Sequence, residues 1–117
     1  MLDQIREALE KVLPDVYYGA AGNVSNVTLW KYIVFSRDHW KRSTNNNSYT
    51  EYYTVAIVCE NAVPAELLHE VIRAMEALPG VRLANADIDF EYTTKPSTNK
   101  VVEIAMPMFS CPFLKVG

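Results

Sequence analysis

Three sets of side chains in this 117-residue chain have types and spacings that bear on chemistry. Asp87, Asp89 and Glu91 alternate, so on a strand they share one face, with same-face neighbours about 7 Å apart. Hard cations favour such oxygens, but a Ca²⁺ site takes about six to eight of them wrapped by a loop. Alternation alone explains the acids as a solvated strand face. His69 lies beside Leu68 in a helical run and His39 in a polar stretch. Neither has a Ser, Cys or carboxylate at a spacing that forecasts a nucleophile–base pair. The chain holds no HExxH, CxxC or GxSxG. The loop Gly19-Ala20-Ala21-Gly22 has no Walker lysine and follows no long strand, so it is no phosphate cradle. Cys59 and Cys111 lack metal-type spacing and read as small buried hydrophobes in a reducing compartment. The expectation is a protein that is not an enzyme and uses no cofactor or metal.

The strongest binding candidate is the basic-aromatic run Arg37-Asp38-His39-Trp40-Lys41-Arg42. Arg and Lys neutralise phosphates, and an exposed Trp stacks on a base or anchors a protein interface. The run opens a polar stretch, residues 37–48, whose tip carries Asn45, Asn46 and Asn47. It reads as the loop of a hairpin spanning residues 29–59. The formal charge is −3, with 6 basic against 7 acidic residues before Val63 and 5 against 7 after it. Neither half is polarised, which favours a protein interface formed by Arg37, His39, Trp40, Lys41 and Arg42 over a nucleic-acid site.

The elements that must position these groups are legible in outline. Leu2, Ile5, Leu9, Val12 and Leu13 recur at helical spacing, predicting a helix of about three turns that Pro14 ends. Val16-Tyr17-Tyr18 is long enough only for a short strand. The hairpin arms, 29–36 and 49–59, are rich in aromatic and β-branched residues. Both arms are apolar on both faces. Ile33 and Phe35 oppose Trp30, Tyr32 and Val34; Tyr53, Val55, Ile57 and Cys59 oppose Tyr52, Ala56 and Val58. Two apolar faces need two covers: helices on both sides, a sheet curling on itself, or a second subunit meeting Trp30, Tyr32 and Tyr52.

A helix stripe follows, Leu67, Leu68, Val71, Ile72, Met75 and Leu78, opened near Pro64 and closed by Pro79-Gly80. Residues 81–93 alternate as a half-buried strand with its acids outside. Residues 100–110 form a last strand whose Pro107 belongs at a sheet edge. The fold class predicted is α+β: a single domain over 1–117 with a mostly antiparallel sheet of about four strands and two helices, ordered α-β-β-α-β-β. The first residues carry acids and no apolar signal core, and no apolar run approaches the ~20 residues of a membrane span. A soluble cytoplasmic protein is expected.

This order of parts resembles a family, the small tail-completion and tail-terminator (head–tail joining) proteins of long-tailed bacteriophages and prophages. The resemblance rests on the N-terminal helix, the strand Trp30-Lys31-Tyr32-Ile33-Val34-Phe35, the polar hairpin stretch and the aromatic strand after it. It extends to the helix opening with Pro64 and Glu66 and ending Ala77-Leu78-Pro79-Gly80, then to closing strands with Tyr92 and Val102-Glu103-Ile104. Lys31-Tyr32 stands where members commonly have Pro-Tyr. The resemblance implies a hexameric ring that caps the tail tube in the virion, is assembled in the bacterial host cytoplasm, and has as partners itself, the tail tube protein and the head connector protein. DNA would pass through the lumen without specific binding, with Asp87, Asp89 and Glu91 lining it. The 37–48 stretch would meet tube or connector. The rival expectation is a small nucleic-acid-binding module that uses the basic-aromatic hairpin run.

Overall fold

The computed structural model describes residues 1–20, 30–43, 48–84 and 87–114. Asn45, Asn46 and Asn47 at the hairpin tip lie outside the described residues. In chain order the elements are α1 (Leu2–Glu10), β1 (Val16–Tyr18), β2 (Lys31–Arg42), β3 (Ser48–Glu60), α2 (Ala65–Glu76), β4 (Arg82–Leu83), β5 (Asp89–Thr94), β6 (Val101–Met106) and β7 (Met108–Leu114). The α+β class, the two helices and the mostly antiparallel sheet match expectation. The strand count does not: the described residues form seven strands where the sequence predicts about four.

β3 organises the sheet. It pairs antiparallel with β2 on one side and with β6 and β7 on the other, giving the order β1-β2-β3-β6-β5. β1 adds parallel to β2 opposite Ile33, Val34 and Phe35. β6 and β7 run against β3 in one unbroken register, Ile57 opposite Ala105 and Thr54 opposite Met108. Pro107 divides them. Expected at an edge, it is instead fully buried mid-sheet. Its carbonyl accepts the Val55 N–H at 3.1 Å, but the proline has no N–H to return, so one rung is missing. The outer strand is interrupted alongside it. Just after β4, Ala84 donates to the Met108 carbonyl (2.7 Å), and β5 begins with Asp89 opposite Met106. The single strand expected over 81–93 is therefore two.

Both helices lie on one face of the sheet. Ile5 and Leu9 of α1 and Leu67, Val71 and Met75 of α2 close over Ile33, Phe35, Tyr53, Val55, Ile57, Ala105 and Phe109. Each fully buried aliphatic chain in such a layer contributes about 1.5–3 kcal/mol of transfer free energy. α2 starts after the extended Pro64, whose carbonyl accepts the Leu68 N–H at 3.2 Å. It ends in the turn Leu78-Pro79-Gly80-Val81, closed by Val81 N–H to Leu78 O at 3.1 Å. Gly80 has φ +80°, a conformation that strains any L side chain, so the Pro-Gly pair terminates the helix as its turn type requires.

Among the described residues no helix lies on the opposite face. Tyr32, Val58 and Val102 are buried there by Tyr17, Trp30, Val34 and Ile104, so the side chains cover one another in part. Tyr32 meets the edges of Tyr17 (ring centroids 5.9 Å) and Trp30 (6.1 Å). The expected half-buried strand also needs correction at β5, where every residue is exposed. The helices sit over the central strands and do not reach it, leaving Phe90 and Tyr92 in water. No helix among the described residues is long and apolar enough to cross a membrane.

Candidate functional site

Residues 37–42 of the polar stretch 37–48 are not the loop their composition predicts. β2 continues through Arg42 and β3 starts at Ser48, with Ser43 N–H donating to Ser48 O at 3.0 Å. Charge does not prevent a strand here because each residue except a single extra one has a cross-strand partner on β3, and β3 is held on its other side by β7. The decisive local feature is a bulge at Asp38. Arg37 stands opposite Tyr53 and His39 opposite Tyr52, leaving Asp38 as the extra residue. An extra residue reverses the alternation beyond it. Arg37, Trp40 and Arg42 consequently share the helix-side face with Tyr53, Glu51 and Tyr49, while His39 and Lys41 face the other way beside Tyr52 and Thr50. The single basic-aromatic cluster read from sequence is thus split over two faces.

On the helix side the bulge builds a site around Glu51, the one buried charged residue among the described residues, at 8% exposure. Its carboxylate accepts hydrogen bonds from Trp40 Nε1 and from the Tyr53 hydroxyl, and Arg37 Nε lies 3.4 Å from Oε2. A buried carboxylate is tolerated only with donors of this kind. Tyr53 is itself 1% exposed. Burial pushes its hydroxyl well above the ordinary tyrosine range, helped by the hydrogen bond to Glu51 and by the Glu51 charge. Beside this network is a cleft of about 340 Å³ lined by Trp40, Glu51, Tyr53, Pro79, Cys111 and Pro112. Burial raises the Cys111 thiol above its usual range and the Glu51 charge raises it further. Both effects disfavour the thiolate, the form of cysteine that attacks an electrophile. Sequence reasoning passed over Glu51. The available signal was an acid at a position where the alternation Tyr53, Val55, Ile57 calls for an apolar residue.

The other face holds smaller polar groups. His39 stacks on Tyr52 with centroids 4.3 Å apart and planes 10° from parallel, and its Nδ1 is 2.5 Å from Asp38 Oδ2. Of the residues expected to meet a neighbouring subunit, Tyr52 and Trp30 are partly exposed, whereas Tyr32 keeps 8% exposure. Lys95 lies 5.8 Å above the Trp30 ring and 2.7 Å from Glu60 Oε1. The Lys95 ammonium holds the Glu60 carboxyl below its usual range, against a smaller opposing effect of burial.

The acidic run behaves differently from its prediction in one respect. Asp89 and Glu91 stand opposite Met106 and Ile104 on the helix-free face, as alternation requires, but Asp87 precedes the strand. Phe90 and Tyr92 take the helix-side face, where the Tyr92 hydroxyl is raised above its ordinary value by hydrogen bonding to Glu103. Among the described residues no group of three or more His, Cys, Asp or Glu is placed to hold a metal ion. Lys41 and Arg42 remain exposed at the far end of the hairpin. No protein-family model matches this chain, and no curated protein matches it in sequence.

Proposed function

We propose that this protein is a non-enzymatic structural component of a bacteriophage or prophage tail, assembling as a ring that caps the tail tube and joins it to the head connector. One observation carries the assembly part: both helices cover a single face of the sheet, while the other face shows a partly self-covered aromatic cluster beside a strand, β5, exposed along its whole length. Surfaces of that kind are covered in assemblies. The tail role rests on the resemblance in the order of parts.

The nucleic-acid reading has less support. Of its five residues, Arg37 and Trp40 are engaged with Glu51, and His39 is engaged with Asp38 and Tyr52. Lys41 and Arg42 alone make a small phosphate footprint. Light scattering on the purified chain, with and without tail tube protein, separates the two. A ring protein elutes as a closed oligomer, alone or with tube protein, and shows little salt-dependent DNA affinity. A monomer under both conditions, binding DNA with a steep salt slope that Arg42→Ala flattens, overturns the proposal.

A further inference from the structure

We infer that the open edge of β5 is an intersubunit contact whose occupant is the hairpin end of a second copy of this chain, bearing Lys41 and Arg42. The inference deepens the ring assembly proposed above and rests on it.

β5 pairs with β6 over six consecutive positions, Asp89 opposite Met106 through Thr94 opposite Val101, and among the described residues no strand lies on its outer side. It has no proline, lysine or bulge, and its edge protection is the pair of acids Asp89 and Glu91. It exposes Phe90 at 43% and Tyr92 at 65%. An edge like this recruits another strand or segment, and its own charge selects which. Two β5 edges laid antiparallel would bring Asp89 and Glu91 of both copies onto one face, where like charges repel. A self-complementary contact is therefore disfavoured, and a basic segment is called for.

The chain supplies one at its opposite margin. Lys41 and Arg42 are exposed at the end of β2, which is on the far side of β3 from β5. Through β3 and β6, each pairing antiparallel, β2 and β5 run in opposite directions. The hairpin end and β5 lie at opposite ends of β3, so a neighbouring copy displaced along the strands presents its hairpin end antiparallel to β5 without being turned over. The faces then match as well. Lys41 lies on the helix-free side, as do Asp89 and Glu91, and Arg42 lies on the helix side, as do Phe90 and Tyr92. The first pairing is an ion pair and the second places a guanidinium against aromatic rings. Because the edge and the hairpin end are different surfaces, the contact is heterologous, the type that closes rings.

Charge reversal tests this on the full chain. Glu91→Lys and Lys41→Glu alter exposed side chains, and circular dichroism confirms that both variants fold. Each variant alone should lose the oligomer, or self-associate at least about tenfold more weakly, because each sets like charges together. Mixing the two should restore the oligomer with alternating copies. The two reversed charges then face each other at one contact, and the native pair of Glu91 with Lys41 re-forms at the next. Single variants that assemble like the wild type, or a mixture that stays dissociated, overturn this contact while the ring stands. A wild-type chain that is monomeric even with tube protein removes the ring and the contact together.

Discussion

Replacing Glu51 by Ala tests whether the buried carboxylate anchors the outer half of the hairpin. Tyr53 is 1% exposed, so once its acceptor is gone its hydroxyl can be reached only by water entering from the adjoining cleft. An orphaned buried hydroxyl costs about 1–3 kcal/mol. Trp40 is 55% exposed and can donate to water instead. The Arg37 side chain is half exposed, so its ion pair adds only about 0.5 kcal/mol. The total is about 3 kcal/mol. For 117 residues at about 2.1 cal/mol/K each, the unfolding entropy is about 0.25 kcal/mol/K, so Tm should fall by about 12 °C. Tyr53→Phe keeps the carboxylate with its other two donors and should cost about 1 kcal/mol. The double variant has no hydroxyl to orphan, so it should be less destabilised than the two singles together by about 1–2 kcal/mol. Urea unfolding followed by circular dichroism measures all three. Additivity within about 0.5 kcal/mol would show that the hydroxyl does not depend on the carboxylate, and the anchoring role would be withdrawn.

Other consequences are open to direct measurement. Tyr53 binds its proton more tightly folded than unfolded, so its share of stability is intact below the unfolded value of about 10 and is lost as pH rises beyond it toward the folded value. Tm should therefore drop more steeply above about pH 10 in the wild type than in Tyr53→Phe; parallel curves refute this. Burial raises the thiols of Cys59 and Cys111, so an aromatic disulfide reagent at about pH 8 should label both far more slowly in the native protein than in denaturant. Prompt native labelling would contradict their burial. Ile5→Ala should cost about 3 kcal/mol in chemical denaturation, whereas Tyr92→Ala should stay within about 0.5 kcal/mol in the dissociated chain. Deleting Asp38 should keep Trp40 on Glu51, because removing the extra residue leaves Arg37–Tyr53, His39–Tyr52 and Trp40–Glu51 in straight register. A tryptophan emission in that variant that differs from the wild type's would show that the bulge does not set the register.

What is legible in the sequence is whatever depends on a regular period. The stripes Ile5–Leu9 and Leu67–Val71–Met75 place both helices, and alternation sorts Ile33 and Phe35 from Tyr32 and Val34 correctly. What fails involves an interruption or a choice of partner. Nothing local tells Val16–Tyr18 to join β2 in parallel, since that pairing is made across a connection. A missing N–H is costly in a ladder and argues for an edge at Pro107, but a single lost rung is tolerated where the flanking register is held by β3. β5 alternates like a half-buried strand, and only the lateral reach of the helices decides that neither of its faces is covered. The charged run 37–42 reads as a loop because composition reports exposure, and an exposed strand has the same composition.

The two irregularities of the sheet fall at one level of β3. The bulge at Asp38 stands opposite Tyr53, and Pro107 stands opposite Val55. β3 itself is a single strand of 13 residues that runs unbroken between them. On one side of that level the sheet carries β1, β6 and β5; on the other it carries β7, β4 and the hairpin end. The bulge makes the second half chemically possible. In an unbulged strand the alternation would put Trp40 on the helix-free face and His39 on the helix side, and the Glu51 carboxylate would lose the indole donor. With the bulge, Trp40 turns to Glu51, Arg37 remains beside it from the other side of the slip, and Lys41 and Arg42 divide between the two faces. Taking Asp38 out of the ladder thus keeps the indole on the buried carboxylate and also sets which face each terminal cation presents, so the anchoring of the hairpin and its fit to an acidic, aromatic strand edge have the same local cause.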